Sequence, residues 1–478
     1  MPVETAATLV DELRSLLPAA NVLTDAATIA QFSEDVTEVP GHAPEVVVRV
    51  RDANDVREVV LLANRRRVPV VPVVANLNVG GLAIPERGGI VVDLSPMNRI
   101  LEVNEADQYM LIEPGVSWGD VRKLLDEKYP SLRFAYSFSP PHTSVLCNCL
   151  MDGLVNLSLR HGPTSHWVNG LEAVLPTGDV VRTGSGSVGK TWCSNSPFPD
   201  LTGLFINFQG TTGIVTKMAV QLWPRYRLRR RAFVMGYDVD GSFALAKRLT
   251  RADVCDDIGG LSWPIAKLVF GEANPVHRRP EEPVFILYLD ISADDERGLK
   301  YKLDVVDAAI ADVRRGGAKL GDPLDVLDLV KVEPRFEKFA DLPARLDFLM
   351  DHPGGGISWV GTYGPVSRWE EGIKRGMAIM EERGWPPIVV TRPMLGGHFG
   401  VLRFIELFDK KDPESVRRVA EVNHALAEAV IELGFFPYKT PGWVLARHRD
   451  KIDPGFLGLL DKVRRALDPN GVLNPGKW

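Results

Sequence analysis

The chain is short of cysteine, of surplus positive charge and of long apolar runs. Its four cysteines, Cys147, Cys149, Cys193 and Cys255, have neither metal-ligand spacing nor the density of a disulfide framework. No metal is expected. Cys147 and Cys149 lie inside an apolar segment and read as small packing residues. The formal net charge is −6, which argues against a nucleic-acid partner, since that would want a basic face. The basic clusters Arg65–Arg67 and Arg229–Arg231 are short and read as solvated surface. No uninterrupted apolar run reaches membrane-spanning length. The first residues, MPVETAATLVDELRSLL, carry acids and read as an amphipathic helix, not a signal peptide. The expected setting is the cytoplasm. Internal repeats and low-complexity linkers are also missing.

What is there is an ordinary globular composition, 45% hydrophobic and 25% charged, at a length that suggests two domains. Residues 44–50 alternate like a strand. Val56, Val59, Val60 and Ala63 then recur at helical spacing behind Asp52, a plausible N-cap. VPVVPVV (68–74) is the next strand. The loop that follows is Ala75, Asn76, Leu77, Asn78, Val79, Gly80 and Gly81. Few side chains there bar a close approach to the backbone N–H groups, the requirement for cradling a phosphate. Further strands are expected at 88–94 and 110–116, and a helix behind Ser117. GLEAVLPTGDVVRTG is a hairpin around Pro176-Thr177-Gly178-Asp179. After Pro224 the texture changes. Strands at 232–240, 283–292 and 356–363 alternate with charged helices, an α+β pattern expected to form a second domain. Residues 412–434 read as a helix with Asp412 as cap, Pro413 in its first position and Gly434 at its end.

Six segments in fixed order carry a resemblance: MNRILEVN (97–104), EPGV (113–116), SPPHTSVLCN (139–148), GLEAVLPTGDVVRTG (170–184), GTTGIVTKMAVQLWP (210–224) and DPNGVLNPGK (468–477). Together with the loop at 75–81 they resemble the FAD-binding unit of the vanillyl-alcohol oxidase and p-cresol methylhydroxylase family. The resemblance implies an α+β fold: a two-part FAD-binding domain with an inserted α+β cap that holds substrate. The expected divisions are 1–225, the first part of the FAD domain; 226–405, the cap; and 406–478, the return to the FAD domain.

The resemblance also implies site residues. Ala75, Asn76, Leu77, Asn78, Val79, Gly80 and Gly81 would hold the FAD pyrophosphate through backbone N–H groups, with Leu77 in place of the family's arginine. Pro141, His142, Thr143, Ser144 and Asn148 would form a second FAD loop. Ser144 is its expected hydrogen-bond donor, and His142 replaces a glycine. Gly213, Ile214 and Val215 would run beside the cofactor, with Asn474 and Lys477 in the tail. Tyr438-Lys439 stands at the family's Tyr-Arg pair, which holds an anionic substrate. Lys439 keeps the charge and loses the bidentate fork. The loop tyrosine of relatives is replaced by Val79-Gly80-Gly81-Leu82, and Ser139 stands where an acid is expected.

His398, read on one strand face with Gly400, Leu402 and Phe404, is a candidate base, and Arg392 a candidate anchor. His42, His277, His424 and His448 read as surface residues. Ser358 falls near the position where some relatives link their flavin covalently, so non-covalent FAD is expected. The implied activity is hydride transfer from an alcohol or benzylic carbon, aromatic or para-alkylphenol-like, to flavin N5. Two alternatives stand beside it: a 2-hydroxy acid dehydrogenase with Arg392, Arg403 or Lys439 clamping a carboxylate, and a non-catalytic electron-transfer subunit. The family default adds a homodimer and a cytochrome or other electron-transfer partner.

Overall fold

The computed structural model describes residues 7–77, 79–135, 137, 139–337 and 352–478. Three sheets organise them. The first has strands β1 (Val22–Leu23), β2 (Val46–Arg49), β3 (Val70–Val73) and β4 (Ile90–Asp93) in the order β1-β2-β4-β3. β4 pairs in parallel with both β2 and β3. The crossover from β2 to β3 is the helix Ala53–Arg66, and Asp52 caps it by accepting from the N–H groups of Asn54 and Asp55. Val56, Val59, Val60 and Ala63 all point into the core, as their 3–4 residue spacing requires.

The second sheet is antiparallel. It contains β5 (Ile100–Asn104), β6 (Tyr109–Ile112), β8 (Val168–Val174), β9 (Val180–Arg182) and β10 (Ile214–Gln221), in the order β5-β6-β10-β8-β9. β7 (Leu132–Arg133) pairs separately with β11 (Trp223–Pro224). The helix Trp118–Lys128 covers this sheet behind a capping box formed by Ser117 and Asp120. Val174 and Ile214 of the second sheet share a core with the first sheet, so the two halves form one unit with a cleft between them. The tail belongs to the same unit. Val70 donates to Val472, and Asn474 donates back to Val70, which fastens residues 472–474 beside β3.

The third sheet is larger, with β12 (Leu228–Gly236), β13 (Asp257–Ser262), β14 (Phe285–Ala293), β15 (Leu324–Asp325), β16 (Gly355–Gly364), β17 (Ile388–Met394), β18 (Phe399–Asp409) and β19 (Phe436–Pro437). Its order is β15-β12-β14-β13-β17-β18-β16-β19, antiparallel throughout. Four helices, Val239–Ala252, Glu296–Arg315, Trp369–Glu382 and Pro413–Ile431, pack on one face around Phe243, Trp369, Phe404 and Leu426. β18 runs on past residue 405, and the helix Pro413–Ile431 and β19 complete the same layered unit. The opposite face carries a second cluster with Phe233, Tyr288, Ile357 and Ile405. The cluster Arg229–Arg231 differs from its expected role as solvated surface. Arg231 is buried and, with Arg229, grips Asp290 across the β12–β14 pair. His448 is buried too. No described helix is long and apolar enough to cross a membrane.

Candidate active site

The loop after β3 leaves the strand in left-handed conformations: φ is 57° at Ala75, 48° at Asn76, 66° at Gly80 and 71° at Gly81. At the two glycines any other residue would be strained. A Cβ on Gly81 would stand 2.6 Å from Val39 Cγ1, and one on Gly80 would stand 3.0 Å from Pro441 Cγ. The loop is therefore clamped from outside by protein. Residues 35–39 lie over it, and Gly81 N–H already donates to the Asp35 carboxylate at 2.8 Å. That N–H is therefore engaged within the protein. Asn76 donates its side-chain amide to Gln31 O, and Ala75 N–H donates to Ser95 Oγ. Asn78 lies outside the described residues.

The second loop is structural in a way its sequence does not announce. Ser144 is buried and caps the short helix Val145–Leu150 by accepting from Cys147 N–H, while its hydroxyl donates to Pro114 O at 2.6 Å. Both its roles are spent inside the protein, so it is no donor to a cofactor. Thr143 donates to Pro140 O, and Pro141 O accepts from Gly119 N–H. His142 is exposed. Asn148 is buried behind this loop, with Oδ1 unpartnered. What the loop and its helix present to the cleft is Leu146, Cys147, Leu150 and Met151.

The cleft is narrow, with a volume of about 60 Å³. Gly213, Ile214 and Val215 line it from β10, Pro72 and Val74 from β3, and Asn474 from the tail. Asn474 donates to Leu82 O and Gln209 O, pinning the phosphate loop to the 209 turn. Two buried carbonyl oxygens on this wall, Gln209 Oε1 and Asn474 Oδ1, have no partner. Buried acceptors are rarely left so. Unpartnered acceptors on the wall of a narrow, largely apolar cleft suit the N–H and O–H groups of a bound cofactor. Lys477 does not face the cleft openly; its ammonium pairs with Glu86.

A second group of side chains gathers on the third sheet. On β18 the residues Val401, Arg403 and Ile405 share the side away from the four helices. Across the ladder they meet Tyr363, Gly361 and Trp359 of β16. Tyr438 follows β19 and stacks on Tyr363, with ring centroids 4.5 Å apart and planes 6° apart. Arg403 lies over both Tyr438 and Trp359, its guanidinium carbon 5.6 and 5.2 Å from the ring centres. It makes no ion pair among the described residues, and burial lowers its pKa to about 10. Tyr438 Oη is buried without a partner. Lys439 is half-buried with φ 50°, and burial pulls its ammonium down to about 8. It too has no carboxylate partner among the described residues.

The other expected residues differ. Arg392 is fully buried and already answered, by Asp257 at 3.1 Å and by the Tyr288 hydroxyl. His398 is not on a strand face. The glycines at 396 and 397 take positive φ and turn the chain, so β18 starts only at Phe399 and His398 is exposed in the turn. Ser358 points to the helix side, where its hydroxyl accepts from Asn423.

Sequence reasoning did not single out Tyr363 and Asp152 as members of this group. Tyr363 Oη donates to Asp152 O, which ties the cap to the FAD unit. The β16–β18 register would have found Tyr363, because it places it opposite Val401 on the side occupied by Arg403. Asp35 carried no sequence signal.

Comparison with known proteins gives these pieces a frame. Residues 44–184 match the family model of an FAD binding domain, and residues 348–478 that of the C-terminal domain of FAD linked oxidases. The chain is 25% identical to the 4-cresol dehydrogenase [hydroxylating] flavoprotein subunit of Pseudomonas putida, over 98% of this chain and 94% of that one. It is 30% identical to the glycolate oxidase subunit GlcD of Bacillus subtilis, over 44% of each chain. It is 29% identical to the D-2-hydroxyglutarate dehydrogenase of Stutzerimonas stutzeri, over 48% of each. The alignments to these last two thus span under half of either relative. Among solved structures, p-cresol methylhydroxylase with substrate bound superposes with a TM-score of 0.86 at 21% identity, covering 98% of this chain and 95% of that one. Its fold is the one described above. The two family models match separate stretches, and the chain carries an FAD binding domain and the C-terminal domain of FAD linked oxidases.

Proposed function

We propose that the chain is an FAD-dependent oxidoreductase. It would remove a hydride from an alcohol or benzylic carbon of an aromatic, phenol-like substrate held as its anion. The observation that carries this reading is the pair of cations, Arg403 buried and Lys439 half-buried, without carboxylate partners among the described residues and beside the stacked rings of Tyr363 and Tyr438. Buried charge is costly unless paired. An anion seated against Arg403, Lys439 and the open Tyr438 hydroxyl would satisfy all three. The stacked tyrosines offer a flat apolar wall for a ring.

FAD, once bound, supplies the hydride acceptor. The protein's part is to orient the donor carbon, exclude water and stabilise negative charge on the substrate. Lys439 has the further capacity to hold or release a proton near neutral pH. Arg392 stands behind the site, fixed by Asp257. We further propose that FAD is held non-covalently, since Ser358 is turned away toward Asn423. A homodimer, a cytochrome-type electron acceptor and a cytoplasmic setting complete the proposal. Sedimentation over micromolar concentrations tests the first, a monomer with full activity counting against it.

A second reading is supported by the same cations. A guanidinium matches a carboxylate in shape and charge, and two relatives are named for glycolate and D-2-hydroxyglutarate. Hydride removal from a 2-hydroxy acid would use the same anchors. The test is anaerobic mixing of the purified yellow protein with 4-alkylphenols, aryl alcohols and 2-hydroxy acids. Bleaching by phenols or aryl alcohols supports the first reading, and bleaching by hydroxy acids alone the second. No bleaching by any of them favours a non-catalytic electron-transfer subunit.

A further inference from the structure

The helix Pro454–Leu467 buries none of its residues, yet it carries an apolar stripe. Phe456, Leu459, Leu460 and Val463 recur at i, i+3, i+4 and i+7, the pattern of a helix packed on a core. Phe456 and Leu459 are nevertheless 52% and 61% exposed. The stripe forms one wall of an open cavity of about 570 Å³, and Phe436 and Trp478 also line it. Phe456 and Trp478 meet edge-to-face with centroids 6.4 Å apart. The inner end of the same cavity is Tyr363, Tyr438 and Lys439, the residues of the candidate active site. Met151 and Gln209 line both this cavity and the cofactor cleft, so the two spaces adjoin. Its volume lies within the ~300–1,000 Å³ of sites that hold a drug-sized ligand. It is also graded, with a cation and hydroxyls at the inner end and an apolar helix face at the outer.

We propose that this cavity is a substrate vestibule: the substrate is an amphiphile whose anionic aromatic head sits at Tyr438 and Lys439 and whose extended apolar substituent lies along Phe456, Leu459, Leu460 and Val463. This rests on the reading of the inner end as an anion site. It does not depend on which carbon gives up the hydride. The occupant is the substrate's own tail because the apolar helix face and the Tyr438–Lys439 end line one and the same cavity. A separate partner would want a convex or flat face.

The experiment separates binding from chemistry. 4-n-Alkylbenzoates from methyl to heptyl are titrated into the FAD-loaded protein, with affinity read by calorimetry and by perturbation of the flavin absorption. These probes carry the anion and the tail but no phenol to activate. Affinity should rise about two- to fourfold per methylene before levelling off. Leu459→Gln and Phe456→Gln, both at exposed positions, should flatten that rise while leaving 4-methylbenzoate affinity, flavin content and melting midpoint unchanged. Affinity independent of chain length would overturn the proposal. So would an unaltered rise in both variants, or variants that convert a dimer to a monomer without touching the rise; in that last case the stripe is a contact between copies. A clear chain-length rise alongside an absence of flavin bleaching by any 4-alkylphenol would sustain the vestibule and sink the phenol reading instead.

Discussion

In the proposed site Arg403 and Lys439 would share the holding of an anion, each over its own pH range. Burial lowers Lys439 to about 8 and Arg403 to about 10. A lysine so depressed carries its charge below about pH 8 and loses it as pH rises through that value. Affinity for an anionic ligand should therefore be level on the acid side and fall on the alkaline side, while Arg403 stays charged. Lys439→Arg should remove the inflection, because guanidinium does not titrate there. Lys439→Met removes the charge at similar volume. It should cost about 2–4 kcal/mol of transition-state binding, roughly thirty- to nearly a thousand-fold in flavin reduction, with FAD content intact. Anaerobic stopped-flow reduction across pH reads both effects. Wild-type rates in Lys439→Met would take the residue out of the site. The left-handed backbone of Lys439 supports its placement. Ala75, Asn76, Asp152, Asn207 and Gln209 share that conformation, and all lie in the phosphate loop or around the two cavities. Strain of this kind gathers at functional sites.

At the level of elements, the phosphate loop is held from two sides. Gly81→Val would drive a side chain into Val39 and force an L-residue to φ 71°. Strained backbone alone costs about 1–3 kcal/mol. The variant should lose FAD and melt earlier, and normal flavin content would mean the cofactor loop is elsewhere. Asn474→Asp should act in the same direction, since the carboxylate no longer donates to Leu82 and Gln209. Elements governed by local rules were legible in the sequence. The helix behind Asp52, the helix behind Ser117, the hairpin at 176–179 and the helix behind Asp412 each carry a cap or turn within a few residues. What was not legible depends on distant partners. Arg392 and Arg403 look alike in sequence, and only the fold brings Asp257 to one and leaves the other without an acid. Ser144 reads as a ligand donor until Pro114 O is seen to take its proton. His398 had a readable warning in Gly396-Gly397, a turn signal that breaks the period-two pattern.

In the whole molecule, residues 35–38 join the FAD unit to the cap. Asp35 holds Gly81, Ile357 N–H donates to Val36 O, and Asn423 donates to Glu38. Beneath this strap burial raises the pKa of Glu38 and pushes Glu406 well above the carboxylate range. A raised carboxylate keeps a proton that the unfolded chain gives up. Its contribution is whole below the ordinary glutamate pKa and declines as pH climbs through the raised folded value. Glu406→Gln copies the neutral form, so the stability of the natural protein relative to this variant should fall with rising pH. Urea unfolding at a series of pH values measures it, and a difference constant with pH would contradict the buried neutral acid. FAD should also leave the protein wholly on acid precipitation, with colour kept in the pellet arguing for a covalent link.

The account turns on whether the unpaired cations receive a substrate anion beside the flavin. The most direct measurement is anaerobic titration of the purified, FAD-loaded protein with 4-alkylphenols, followed by the same titration of Lys439→Met. The expected result is full bleaching of the visible flavin band in the natural protein and strongly slowed bleaching in the variant. A natural protein that keeps its yellow colour with every phenol, aryl alcohol and 2-hydroxy acid would contradict it.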